Sequence, residues 1–316
     1  MWADTGTILL GGVLLVFGAD SLAQGVAGLL VRNSGQSWLR ALAAAAVAAL
    51  APLLAIAIAA VLVGRAELAA GAALGGAIAQ LGLLLALAAL AAPLRVHVPA
   101  LAGLNPALIG AVVLAWLLGL DHAYSRLDGG IMLLAFVALG ALLARGIWRQ
   151  RSVAQGLSDA PAPSFGTSRS LLRLLVGGIL VGVGAWRLLV GTSSLAATIL
   201  LNPMILSLLV LGPVSAVAGA PTAILAARRG HGEIALAQAL FAALAATLLL
   251  FGGVVLAHAL AIPASIWRFE LPILLTLAVA IYPMMRSDGE LSRREGAVLL
   301  LAWLGFLAIE LWLSFA

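Results

Sequence analysis

Three polar side chains sit within long apolar stretches of this chain and could handle a small ligand: Gln80, Thr222 and Gln238. Two amides and a hydroxyl offer acceptor oxygens and N–H or O–H donors but no charge, a set suited to weak binding of a monovalent ion or a neutral solute. The same groups also hydrogen-bond neighbouring helices, and the small residues Gly71, Ala72, Gly75, Gly76 and Ala77 nearby suit close helix approach equally well. Charges inside apolar runs are Asp20, Arg187 and Glu310. Asp20 and Arg187 fall at nearly equivalent points of two runs. Because a charge away from water is costly unless partnered, they are expected to pair with each other or with polar backbone. A proton-relay role for Asp20 is the other use of such a group. Glu310 lies about one turn from the end of its run, between Trp303 and Trp312, and is expected to reach the interface. His258 and Trp267 are expected at the same kind of boundary. Glu67 and Glu233 sit at helix starts beside loops, where a solvated carboxylate complements the helix N-terminus.

Other chemistries find no residues. Cysteine is absent, which removes disulfides, thiolate metal sites and cysteine nucleophiles. No nucleophile triad, zinc-binding spacing, Walker loop or dinucleotide fingerprint occurs. The Gly71 to Gly76 stretch is apolar on both sides and reads as packing glycine rather than a phosphate cradle. Neither an enzyme nor a metal or cofactor is expected.

The elements that must hold these residues follow from composition. Hydrophobic residues make up 64% of the 316 and charged residues 9%, with a mean hydropathy of +1.19. A soluble domain carries about a quarter charged residues, so this is an all-α integral membrane protein. Unbroken apolar runs exceed the ~18 residues of a spanning helix, unlike the alternation of barrel strands. Ten transmembrane helices are predicted over 7–30, 41–63, 68–93, 100–119, 129–147, 171–192, 202–227, 234–260, 270–285 and 296–314. All 17 basic residues are Arg, and the sequence pI is about 11.2. The arginines lie in inter-helix loops rather than on one basic face, so no nucleic-acid partner is expected. Loops after the odd-numbered helices hold Arg32, Arg40, Arg95, Arg145, Arg149, Arg151, Arg169, Arg173, Arg228, Arg229, Arg286, Arg293 and Arg294, which is 13, against Arg65, Arg126 and Arg268, which is 3. Positive charge stays cytoplasmic, so both termini are expected outside. No cleavable leader is recognised, and residues 1–30 are read as the first helix.

The chain also resembles itself. Glu67-Leu68-Ala69 returns as Glu233-Ile234-Ala235, Gly18-Ala19 as Gly184-Ala185 and Gly64 as Gly230, each 166 residues later. Ser125-Arg126-Leu127-Asp128-Gly129 returns as Ser292-Arg293-Arg294-Glu295-Gly296, 167 later. Matches in one order at one spacing indicate duplication. The first repeat is placed at 1–148, a linker containing Pro161-Ala162-Pro163 at 149–170, and the second repeat at 171–316. Five helices is an odd number, so the second copy enters the bilayer inverted. Inverted repeats of this kind build secondary transporters whose sites lie near the midplane between the halves.

With Gly-Ala-Asp at 18–20 and Ser-Arg-x-Asp/Glu-Gly before helices 5 and 10, the chain resembles the calcium/cation antiporter superfamily, and in particular bacterial sodium/calcium exchangers of the inner membrane. In that family helices 2 and 3, and again 7 and 8, carry a Gly-Thr-Ser-x-Pro-Glu motif and then Gly-Asn-x-x-Gly-Ser-Asn, whose glutamates and asparagines coordinate cations. On this resemblance Pro52 stands at the family proline and Leu53 at the glutamate position. Ala72, Ala77 and Gln80 stand at the asparagine positions. In the second repeat Ala218-Gly219 replaces Pro-Glu, Thr222 matches, and Gln238, Ala243 and Ala246 stand at the asparagine positions. The resemblance therefore implies an exchanger fold with degenerate ion sites, to which calcium binding is not expected. The expected function is a non-exchanging accessory or structural subunit of the bacterial inner membrane, packed against lipid and another membrane protein. A secondary transporter of altered substrate, using a residual polar cavity at Gln80, Thr222 and Gln238, is the alternative. Pro52 would mark a kink inherited from the broken helix of a transporter.

Overall fold

The structure, a computed structural model, describes residues 2–30, 37–95, 103–149, 166–287 and 290–315. Most of the expected linker at 149–170, with its Pro-Ala-Pro, lies outside the described residues. Ten helices follow one another: α1 Trp2–Leu30, α2 Ser37–Leu62, α3 Ala66–Ala91, α4 Leu104–Leu118, α5 Arg126–Arg149, α6 Thr167–Ile199, α7 Pro203–Arg228, α8 Gly232–Ala257, α9 Ile266–Met284 and α10 Arg293–Phe315. Helices are what an apolar chain must form where no water can satisfy its peptide groups. Among the described residues nine of them are long and apolar enough to cross a bilayer, and α4, with 15 residues, is shorter. Helices α2 and α7 run through Pro52 and through Pro213 and Pro221 without interruption.

Two short ladders decide whether α4 crosses. Strand β1 (Leu94–Arg95) pairs antiparallel with β4 (Glu290–Leu291), and β2 (Ala123–Tyr124) with β3 (Leu260–Ala261). Loop strands can pair only on one side of a membrane, so an even number of crossings must separate each pair. Between β1 and β4 lie α4 to α9, and that number is even only if α4 crosses too. The β1–β4 ladder thus requires α4 to cross, which makes ten crossings, and the β2–β3 ladder, enclosing α5 to α8, agrees. They also tie each half to the other, since every pair joins a strand from one repeat to a strand from the other.

The duplication is visible in backbone detail. Gly64 and Gly230 both end a helix at positive φ (71° and 81°), the left-handed turn that glycine enters without a Cβ penalty. Helices α3 and α8 each contain a π-helical turn, at Gln80–Leu84 and Ala246–Phe251, again 166 apart. Ser125 and Asp128 cap α5 reciprocally: Ser125 N–H and Oγ donate to Asp128 Oδ2, each at 2.7 Å, and Asp128 N–H donates back to Ser125 Oγ at 3.4 Å. Ser292 and Glu295 cap α10 the same way, at 2.7, 2.8 and 3.3 Å. The Ser-Arg-x-Asp/Glu-Gly repeat is therefore a pair of capping boxes.

Helices α1 and α6 pack antiparallel along a glycine seam. Gly11, Gly18 and Gly25 face Gly184 with Leu188, Gly177 with Val181, and Ser170 with Leu174, where an added Cβ would stand 2.7–2.8 Å from the opposite helix. On α6, Gly177, Gly184 and Gly191 lie 166 residues after those three glycines, and Gly191 meets Thr7 and Ile8 of α1. Small residues at such contacts let backbones approach, which is how helices associate in lipid. Helix α3 is buried along almost its whole length, with Gly71 and Gly75 against the backbone of α7 at Met204 and Leu208.

Candidate functional site

Four helices, α2, α3, α7 and α8, meet around Gly219. A Cβ placed there would stand 3.0 Å from Gln238 Nε2 on α8, 3.3 Å from Leu84 Cδ1 on α3 and 3.4 Å from Ala49 Cα on α2. Gln238 occupies the space beside Gly219. Its Nε2 donates to the Gly219 carbonyl at 2.9 Å, and its Oε1 accepts from Thr222 Oγ1 at 3.1 Å. Thr222 also donates toward the Gly219 carbonyl at 2.8 Å. On the other side, Leu53 lies against Gly76, with Cδ2 only 2.6 Å from where a Cβ would be. Pro52, Leu53, Ala72, Ala77, Ala218, Gly219 and Ala243 are all buried, and Thr222 is half-buried.

Of the three polar residues expected to share a site, the structure joins two. Gln80 is fully buried where the π-helical turn opens, and neither its amide nitrogen nor its oxygen has a hydrogen-bond partner. Gln80 and Gln238 are not symmetry mates. Positions 166 residues away hold Ala246 and Ala72, so each half contributes one amide at a different level. The centre is thus neutral, with one satisfied amide–hydroxyl cluster, one unsatisfied amide and an apolar side chain between α2 and α3.

Acidic groups in these four helices are confined to first turns. Glu67 is exposed, as expected. Glu233 is not solvated: it is 6% exposed, with a carboxylate oxygen 3.6 Å from His231 Nδ1. Strand β1 covers this turn, since Leu94 Cα lies 2.5 Å from where a Cβ on Gly232 would be. Outside the centre, Tyr124 on β2 is buried and donates to the Ala115 carbonyl at 2.7 Å, and burial pushes its hydroxyl above the usual phenol range.

Asp20 and Arg187 are not brought together. In the antiparallel α1–α6 pair Gly18 faces Gly177 and Val181, so Arg187 stands about ten residues, or about 15 Å, along the axis from Asp20. Inversion of the second repeat carries equivalent positions to opposite depths, which is why equal places in the two helices cannot meet. Asp20 instead accepts from Gln24 Nε2 at 2.7 Å, and Gln24 Oε1 accepts from Arg173. Arg187 is exposed.

Glu310 does not reach the interface either. It is 1% exposed and faces Glu270, also 1% exposed, at the start of α9. Sequence reasoning did not single out Glu270, which stands at the first residue of the predicted span 270–285. The available signal was that it begins an apolar run next in order to the run holding Glu310. Trp267, expected only at a boundary, joins the halves: its Nε1 donates to the Trp116 carbonyl at 3.3 Å and Trp116 Nε1 donates to the Trp267 carbonyl at 3.1 Å.

A family model described as sodium/calcium exchanger protein matches residues 4–144 and 169–312, one segment in each half. The chain belongs to the sodium/calcium exchanger family. Members of that family are transporters rather than enzymes, and the membrane-spanning helices agree with that class. Among solved structures, the sodium-calcium exchanger NCX_Mj soaked with sodium and strontium matches at 21% identity, over 96% of this chain and 97% of that one, with a TM-score of 0.69. The same exchanger soaked with sodium and calcium matches at 22% identity, over 97% and 98%, also at 0.69. At such identity the likeness establishes the exchanger fold of two repeats. Among curated proteins none matches the sequence.

Proposed function

We propose that this member of the exchanger family does not exchange calcium and serves as a non-exchanging membrane subunit. The observation that carries this reading is the filled centre: Leu53 rests on Gly76, and Gln238 takes the space beside Gly219. On the family resemblance, Leu53 and Gly219 stand where acidic ligands belong. Calcium takes about 6–8 oxygen ligands with carboxylates among them. A dehydrated divalent ion in a neutral apolar site faces a solvation cost of tens of kcal/mol. One hydroxyl, the Gln238 amide already engaged with backbone and the neutral Gln80 amide do not offset that.

The protein would lie in the bacterial inner membrane with both termini outside, an orientation supported by the arginine count of the loops. Its partner would be another membrane protein, met through lipid-facing helices. Gentle purification of the full chain from native membranes tests this: a second membrane protein should accompany it in fixed proportion. Isolation as a single species with cation flux would contradict it.

The unsatisfied amide of Gln80 favours one second reading, a transporter of altered substrate. A buried amide without partners is the kind of group a weakly solvated solute would complete. Substrate-dependent flux abolished by Gln80→Leu would establish that reading, and flux indifferent to the substitution would remove it.

A further inference from the structure

We propose that Glu270 and Glu310 form a proton-binding site between α9 and α10, separate from the centre of the repeats. Both side chains are 99% buried, and their carboxyl groups lie within hydrogen-bond reach of each other. As two carboxylates they have no hydrogen to share, and Glu270 Oε1, Glu270 Oε2 and Glu310 Oε2 are then left buried without a partner. One proton between them closes the contact, the arrangement forced on neighbouring carboxyl groups that cannot both ionise. Among the described residues no other charged or titratable group bears on either carboxyl. Glu270 faces Glu310 and the Ser265 hydroxyl, itself buried and without another partner, while Glu310 faces only Glu270. Arg268, on the same opening turn, is exposed. No fixed cation neutralises the pair.

The duplication supplies an internal control. The positions 166 residues before Glu270 and 167 before Glu310 are Leu104 and Leu143. There both positions are apolar: Leu104 is buried, and Leu143 packs on the start of α4, its Cδ2 3.2 Å from where a Cβ on the neighbouring Gly103 would be. Leucines therefore satisfy the packing at this place in the fold, and the acid pair is not needed to build it. Two buried acids are a costly replacement for two leucines unless they hold something. The smallest occupant that satisfies both carboxyls is a proton. Release is a simple dissociation: the O–H bond of the protonated carboxyl breaks, the proton passes to water, and two adjacent carboxylates remain.

Infrared difference spectroscopy on the full chain in lipid vesicles tests the site. A protonated-carboxyl band is expected at neutral pH, moving on exchange into deuterium oxide and vanishing at alkaline pH. It should be absent from the E270L/E310L double variant, which restores the leucine pair of the first repeat, and Glu270→Gln alone should shift or remove it. The unmodified chain is a test by itself should the double variant not fold. No band at neutral pH, or a band unchanged in both variants, would overturn the proposal. So would a band removed at constant pH by sodium, potassium or calcium, because the pair would then be a cation site.

Discussion

Leu53 on α2 rests directly on Gly76 of α3, so closely that a single added carbon at Gly76 would stand 2.6 Å from Leu53 Cδ2. The contact seals the first half of the centre with packing rather than charge. Gly76→Ala should therefore destabilise the protein by about 1–3 kcal/mol through overpacking. Combining it with Leu53→Ala should cost less than the sum of the two single changes, because the second opens the space that the first fills. Unfolding in detergent checks both values.

The two central glutamines should respond oppositely. Gln238→Leu removes bonds to the Gly219 carbonyl and to Thr222 and should cost about 1–3 kcal/mol. Gln80→Leu removes a buried amide without partners and should leave stability unchanged or raised. Thermal melts of the two variants side by side are sufficient. Equal losses would mean that Gln80 has a partner in solution.

The α1–α6 seam predicts position-specific intolerance. An added Cβ at Gly18 would meet Val181 at 2.7–2.8 Å, and at Gly184 the backbone of Gly11 and Leu15 at 2.9–3.0 Å. Gly18→Ala and Gly184→Ala should each destabilise by about 1–3 kcal/mol. Gly178→Ala and Gly182→Ala, on the same helix with nothing within 4 Å, should be neutral or stabilising by up to about 1 kcal/mol.

The capping boxes give a symmetric pair of effects. Ser125→Ala and Ser292→Ala should each cost about 1 kcal/mol. Because the boxes begin helices in different repeats, the double variant should lose the sum. Denaturation of the three variants measures it.

Architecture was legible because it rests on apolar run length and on a repeat spacing, and both survive in a composition dominated by Ala and Leu. Even the capping boxes were visible as a repeated Ser-x-x-Asp/Glu, though their work was not. Pairing was less legible. Asp20 and Arg187 looked matched because sequence spacing records equivalence, whereas an inverted repeat turns equivalence into opposite depth. Glu310 looked interfacial because its own helix end was judged alone, without Glu270 from the preceding helix. Gln80 and Gln238 looked alike, yet one is satisfied by the Gly219 carbonyl and the other is not. That distinction depends on how α7 meets α8, which no local pattern encodes.

Flux tests the filled centre most directly. The purified chain in proteoliposomes loaded with sodium and diluted into radiolabelled calcium should take up no more calcium than empty vesicles, at any orientation of the sodium gradient. Saturable calcium uptake that requires an outward sodium gradient and is lost on its dissipation would contradict the account.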